Sequence, residues 1–107
     1  MELQKLIHRA MDLRTQYEKK EIQLYGSAST DEDIAQAFLG DVNNLTKLVS
    51  AIHGKGKIAN STEKLGPQLS HCLWSVIVLA KIHDVDIEQS FMETMDKLEN
   101  HLLETQD

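Results

Sequence analysis

Two stretches of the chain decide its fold: residues 67–80, PQLSHCLWSVIVLA, and residues 38–51, FLGDVNNLTKLVSA. Each combines apolar residues at three- and four-residue steps with two polar residues three positions apart. This spacing predicts two helices, each with a polar pair on one face. Asp41 and Asn44 form the first pair, and Gln68 and His71 form the second. If the two helices are neighbours, the pairs could converge on one site.

The same periodicity continues on both sides of these stretches and predicts four helices. They are expected to cover residues 2–24, 31–53, 67–83 and 87 onward, with residues 57–66 as a connection that could include a short turn after Ser61. Thr30 and Asp86 are favourable N-caps, since a side-chain oxygen there accepts a hydrogen bond from the first turn. Pro67 is expected in the first turn of the third helix, where its missing N–H does no harm.

The third helix is apolar nearly all round. Its apolar residues are Leu69, Cys72, Leu73, Trp74, Val76, Ile77, Val78, Leu79 and Ile82. A helix of this kind must be buried on most sides, and three partner helices in a 12.1 kDa chain hardly suffice for that. We therefore predict an all-α four-helix bundle, one domain over residues 1–107, completed by oligomerisation to a homodimer or homotetramer. Trp74 and Ile77 are expected at the interface.

Composition restricts the partners and the compartment. The net charge is −6, which argues against nucleic acid and anionic membranes, because both bind basic surfaces. The single cysteine, Cys72, excludes an internal disulfide framework and fits a reducing compartment. The first ten residues carry charge and helical periodicity rather than a signal peptide, and the apolar run 73–80 is too short to span a bilayer. A cytoplasmic protein is expected, with no membrane partner.

The sequence lacks the common catalytic signatures. It contains no glycine-rich phosphate loop, no Cys-x-x-Cys and no His-Glu-x-x-His. The five histidines include no pair four residues apart, which disfavours a zinc site on one helix. Cys72 lies in the apolar helix, where a small core residue is the simpler interpretation than an activated nucleophile.

The chain resembles the MazG-like family of all-α nucleoside triphosphate pyrophosphohydrolases over nearly its whole length. The resemblance is carried by Gly40-Asp41-Val42, by Leu45-x-Lys47-Leu48-Val49, by Lys64-Leu65, by Cys72 to Ala80, and by Val85 to Glu88 with Phe91 and Thr94-Met95-x-x-Leu98-Glu99. It implies a helical bundle that assembles into oligomers. It also implies magnesium-dependent cleavage of a nucleoside triphosphate into a monophosphate and pyrophosphate.

The family's magnesium site is built from E-E-x-x-E/D on one helix and E-x-x-D on the next. Residue by residue, the resemblance places the first motif on Gly40, Asp41 and Asn44, and the second on Gln68 and His71. The metal positions are thus Asp41, Asn44, Gln68 and His71, with one carboxylate among the four. Magnesium prefers anionic oxygen, and imidazole suits zinc, nickel or copper better. Such a site should hold magnesium poorly.

Three functions are open at this point. The chain could be an active pyrophosphohydrolase with Asp41 and His71 as metal ligands and Asn44 and Gln68 as auxiliary groups. It could be a non-catalytic relative that keeps the bundle and a nucleotide pocket, or an unrelated helical interaction module. Because two-metal chemistry depends on charge at the site, the sequence favours a MazG-like pyrophosphohydrolase-family protein in which catalysis is weak or lost.

Overall fold

The protein contains four α-helices in the computed structural model, which describes residues 2–105. They are α1 (Leu3–Tyr25), α2 (Asp31–Ile52), α3 (Ser61–Ile82) and α4 (Ile87–Glu104). No strand occurs within the described residues. The prediction of an all-α chain with four helices is therefore confirmed.

The start of α3 differs from the prediction. The helix begins at Ser61, so residues 61–66 are helical rather than a connection, and Pro67 lies inside the helix. Asn60 turns the chain into α3 in the left-handed conformation, with φ 56° and ψ 39°. Leu65, in the early turns, is half-buried. The helix continues through the proline, which removes one backbone hydrogen bond.

Local sequence signals do set the other helix ends. The Thr30 hydroxyl accepts the N–H of Asp33 at 3.1 Å, and the Asp33 carboxylate accepts the N–H of Thr30 at 2.9 Å, which forms a capping box. Asp86 accepts the N–H of Gln89 at 3.1 Å. The Gln89 side chain turns to Glu93 instead of closing a second capping box. Both predicted N-caps are confirmed.

The core is small and centres on α3. The main helix pair is α2 with α3, and α1 also packs on α3. The buried apolar residues are Ile7, Leu48, Ile77, Val78 and Ala80. The part of α3 between residues 75 and 80 therefore holds the protomer together.

Helix α4 contributes no buried residue, and its apolar face is exposed. That face carries Phe91, Met92, Met95, Leu98, Leu102 and Leu103. The radius of gyration is 17.3 Å, against about 13 Å for a compact domain of this length. The accessible surface is 8446 Å², against about 6,000 Å² for a compact monomer of this mass. The protomer thus exposes about 2,400 Å² more surface than a compact monomer would.

Helix α3 is not buried on most sides within one protomer, and its cover by a second subunit stays a prediction. Leu69 and Leu73 are each 48 % exposed. Helix α3 is long and apolar enough to cross a membrane. The core helices of soluble proteins often have the same length and composition, so this property alone is weak evidence. The sequence-based prediction of no membrane partner stays a prediction.

The two residues expected at a subunit interface both make contacts inside the protomer. Ile77 is 3 % exposed. The Trp74 indole N–H donates to the Ala10 carbonyl at 3.3 Å, and its ring centroid lies 5.6 Å from that of Tyr17. Their role at an interface stays a prediction, and more exposed neighbours such as Leu73 offer a second subunit more surface.

Candidate functional site

Helices α2 and α3 bring one residue of each polar pair into direct contact. The side-chain amide of Gln68 donates to Asp41 twice, at 3.2 Å to Oδ1 and at 3.1 Å to the backbone carbonyl oxygen. The two faces that the sequence singled out therefore do meet in the fold.

The other two polar residues border a cavity between α2 and α3, here called the α2–α3 cavity. Its volume is about 580 Å³. It is lined by Asn44, Lys47, Leu48, Ile58, Asn60, Glu63, Lys64, Pro67, Gln68 and His71. Asn44, Gln68 and His71 thus share one cavity, and Asp41 is not part of its lining.

Asp41 faces a second cavity, of about 300 Å³, between α1, α2 and α3. We call it the aromatic cavity, after Tyr17 and Trp74 in its lining. His71 borders this cavity as well as the α2–α3 cavity. The four mapped positions are therefore split between two cavities, with His71 between them.

The donor set of these positions does not fit magnesium. Asp41 Oδ1 accepts a hydrogen bond from the side-chain amide of Gln68. A carboxylate in place of Gln68 would instead bind a cation together with Asp41. The other two positions offer a neutral amide and an imidazole. Within residues 2–105, no group of three or more His, Cys, Asp or Glu side chains is placed to hold a metal ion. The arrangement can recognise polar groups through hydrogen bonds, but it lacks the charge for two-metal hydrolysis.

The aromatic cavity also contains a charged network that the sequence analysis missed. Arg14 is 7 % exposed, donates to the Ser29 carbonyl at 2.6 Å and lies 3.8 Å from a carboxylate oxygen of Glu21. The Glu21 carboxylate also accepts from the backbone N–H and the hydroxyl of Ser29. The network fixes the α1–α2 connection against α1. The sequence did contain a signal for this network, because Arg14 lies two helical turns after Ile7, on the apolar face of α1.

This network makes stability sensitive to acid. The hydroxyl and then the N–H of Ser29 lower the pKa of Glu21 below 4.5; Arg14 adds to this, and partial burial opposes it. A carboxyl group whose pKa is lower in the folded state stabilises the fold above its unfolded pKa, and this contribution is lost as the pH falls through the folded value. We expect Glu21→Gln to lower the thermal midpoint at neutral pH and to flatten its decline below about pH 5.

Thermal unfolding followed by circular dichroism from about pH 7 to pH 3 checks this expectation. Glu99→Gln, on exposed α4, is the matched control and should leave the profile unchanged. A Glu21→Gln profile parallel to that of the natural protein would show that the network does not couple folding to protonation.

Comparisons with protein-family models, with curated proteins and with solved structures gave no match for this chain. The MazG-like assignment therefore depends on the residues quoted above.

Proposed function

We propose that this chain is a MazG-like helical protein that binds a nucleoside triphosphate and whose pyrophosphohydrolase activity is weak or lost. The hydrogen bond from Gln68 to Asp41 is the observation that supports this most directly. In this hydrogen bond, the single carboxylate among the mapped metal positions accepts from an amide donor.

At two of these positions the residue preserves the size of the family's carboxylate while it removes the charge. Asn44 and Gln68 are near-isosteres of aspartate and glutamate, but their amides are neutral and also donate hydrogen bonds. Hydrolysis of a triphosphate by bound metal ions needs anionic ligands that hold the ions in place. With Asp41 as the single mapped carboxylate, fast metal-dependent hydrolysis is not expected.

A ligand pocket nevertheless remains. The α2–α3 cavity, at about 580 Å³, is within the size range of small-molecule sites. Asn44, Gln68 and His71 give it polar groups, and Leu48 and Ile58 give it apolar walls. This combination supports a nucleotide-binding or regulatory module better than a hydrolase.

Two measurements on the natural protein test this function. Pyrophosphate release would be followed for ribo- and deoxyribonucleoside triphosphates with magnesium and with manganese. Thermal shift with the same nucleotides would report binding. Stabilisation without pyrophosphate release supports the proposal. Rapid metal-dependent release that Asp41→Ala abolishes would show an active enzyme, and no response to any nucleotide would leave the interaction module.

A helical assembly module is the second candidate, and the exposed apolar surface favours it. An apolar groove of about 520 Å³ runs between the start of α1, α3 and α4. Its lining is Leu3, Leu73, Val76, Ile77, Ile87, Glu88, Phe91 and Met92. The surplus of about 2,400 Å² over a compact monomer matches what one subunit contributes to a large obligate interface, roughly 1,000–2,500 Å². We propose that a second copy of the chain covers this groove, in a dimer or tetramer.

A charge in this groove should separate the subunits without unfolding them. Leu73 is 48 % exposed in the protomer, so Leu73→Asp costs little within one chain but would bury a carboxylate between two. We expect its sedimentation-equilibrium mass to fall to about 12 kDa at micromolar concentration, with helicity retained.

The control for this prediction is Leu39→Asp on α2, since Leu39 is 67 % exposed and outside the groove. This variant should have the same oligomeric mass as the natural protein. The measured mass of the natural protein also distinguishes a dimer from a tetramer. If Leu73→Asp stays folded with an unchanged oligomeric mass, the groove is not the interface.

A further inference from the structure

The charged groups of the α2–α3 cavity are mainly basic. Lys47 comes from α2 and Lys64 from α3, and Glu63 is the one carboxylate in the lining. Within residues 2–105, ion pairs involve His8, Arg14 and His83, but neither of these lysines. The two lysines and Glu63 together give the lining one net positive charge, and both ammonium groups are available to a ligand.

The uncharged polar groups of the cavity can add hydrogen-bond donors. Asn44 and Asn60 each carry a side-chain amide, and each amide can supply N–H groups to an anion. The Gln68 amide donates to Asp41 instead. Lysine binds phosphate as a mobile point charge on a flexible stem. Together these groups match a ligand with several anionic oxygens better than they match a metal ion.

We propose that this cavity binds the polyphosphate group of a nucleotide directly, without a metal ion, through Lys47 and Lys64. The side-chain amides of Asn44 and Asn60 supply further donors. This inference rests on the proposed nucleotide-binding function and specifies how that site holds its ligand. Protein cations here do the charge neutralisation that bound metal ions would otherwise do.

Isothermal titration with ATP and with inorganic tripolyphosphate, each in EDTA and in excess magnesium, tests the proposal. Both probes contain the same triphosphate chemistry, so their comparison shows whether the nucleoside contributes. We expect both to bind in EDTA. Magnesium and salt should weaken binding, because each reduces the effective charge that the lysines meet.

Lys47→Gln and Lys64→Gln should each weaken binding about ten-fold, the usual effect of losing one charge-assisted hydrogen bond. Both changes lie on exposed positions, and circular dichroism confirms that the variants are folded. Lys20→Gln, at an exposed position on α1 outside this cavity, should bind as the natural protein does.

The outcomes separate this inference from the proposed function. ATP binding that requires magnesium, or that neither lysine substitution weakens, overturns the metal-free site and leaves nucleotide binding intact. Tripolyphosphate binding without ATP binding in EDTA supports the anion site and overturns the nucleotide as its ligand. No binding of either probe in any condition overturns both.

Discussion

Replacing Ile77 by aspartate is expected to unfold the protomer. Ile77 is 3 % exposed and lies beside Val78 in the small core around α3. An unpaired carboxylate there must either be desolvated or take up a proton, at a cost of several kcal/mol. Since total stabilities are about 5–15 kcal/mol, we expect loss of most helical circular dichroism at 222 nm at room temperature.

Two variants make this prediction specific. Leu69→Asp places the same charge on the same helix at an exposed position, and it should keep the helical signal. Ile77→Val removes one methylene group and should cost only about 0.5–1.5 kcal/mol in urea unfolding. An Ile77→Asp protein with native helicity and an unchanged thermal midpoint would mean that this face of α3 is open to water.

The second large effect is a gain of activity. We expect the triple variant Asn44→Asp, Gln68→Glu, His71→Asp to release pyrophosphate from nucleoside triphosphates at least about 1,000-fold faster than the natural protein. It places three carboxylates on the α2–α3 cavity, where magnesium needs anionic oxygens. Asp41 adds a fourth beside position 68, with which it is in contact. Bound metal contributes several kcal/mol to such reactions, and each 1.36 kcal/mol is about a factor of ten in rate.

Pyrophosphate release with magnesium, with manganese and in EDTA measures this gain. Adding Asp41→Ala to the triple variant should abolish it, and EDTA should do the same. Activity in the triple variant beside a silent natural protein would identify a pseudoenzyme with an intact pocket. A folded triple variant that binds magnesium but releases no pyrophosphate would count against a nucleotide pocket and favour the assembly module.

Local sequence patterns predict most of the fold, but they do not predict where α3 begins. The apolar spacing of α1, α2 and α4 and the caps at Thr30 and Asp86 act within a few residues, so the sequence alone displays them. Gly66-Pro67 is locally a start signal for a helix, yet α3 begins six residues earlier, at Ser61. The half-burial of Leu65 arises only in the folded protein, so local propensity does not include it. Asn60 has φ 56°, a left-handed conformation that asparagine adopts more readily than most residues, so that turn was a local signal that the prediction missed.

The candidate site was predictable in part for the same reason. Helical spacing put Asp41 with Asn44 and Gln68 with His71, and the contact between Gln68 and Asp41 agrees with two adjoining faces. The division of these residues between two cavities depends on how each helix is rotated about its axis. Spacing along one helix carries no information about that rotation relative to a neighbour.

Pro67 interrupts the backbone hydrogen bonds of α3. It has no N–H to donate to the Glu63 carbonyl, so the backbone ladder is interrupted there. Residues 61–66 contain no buried side chain, whereas residues 75–80 are mostly buried. Amide exchange should therefore be faster in residues 61–66 than in residues 75–80, because local opening needs little free energy where few contacts break. Lys64 lies in the segment expected to open more easily, so its side of the α2–α3 cavity should adjust to a ligand more readily than the core does.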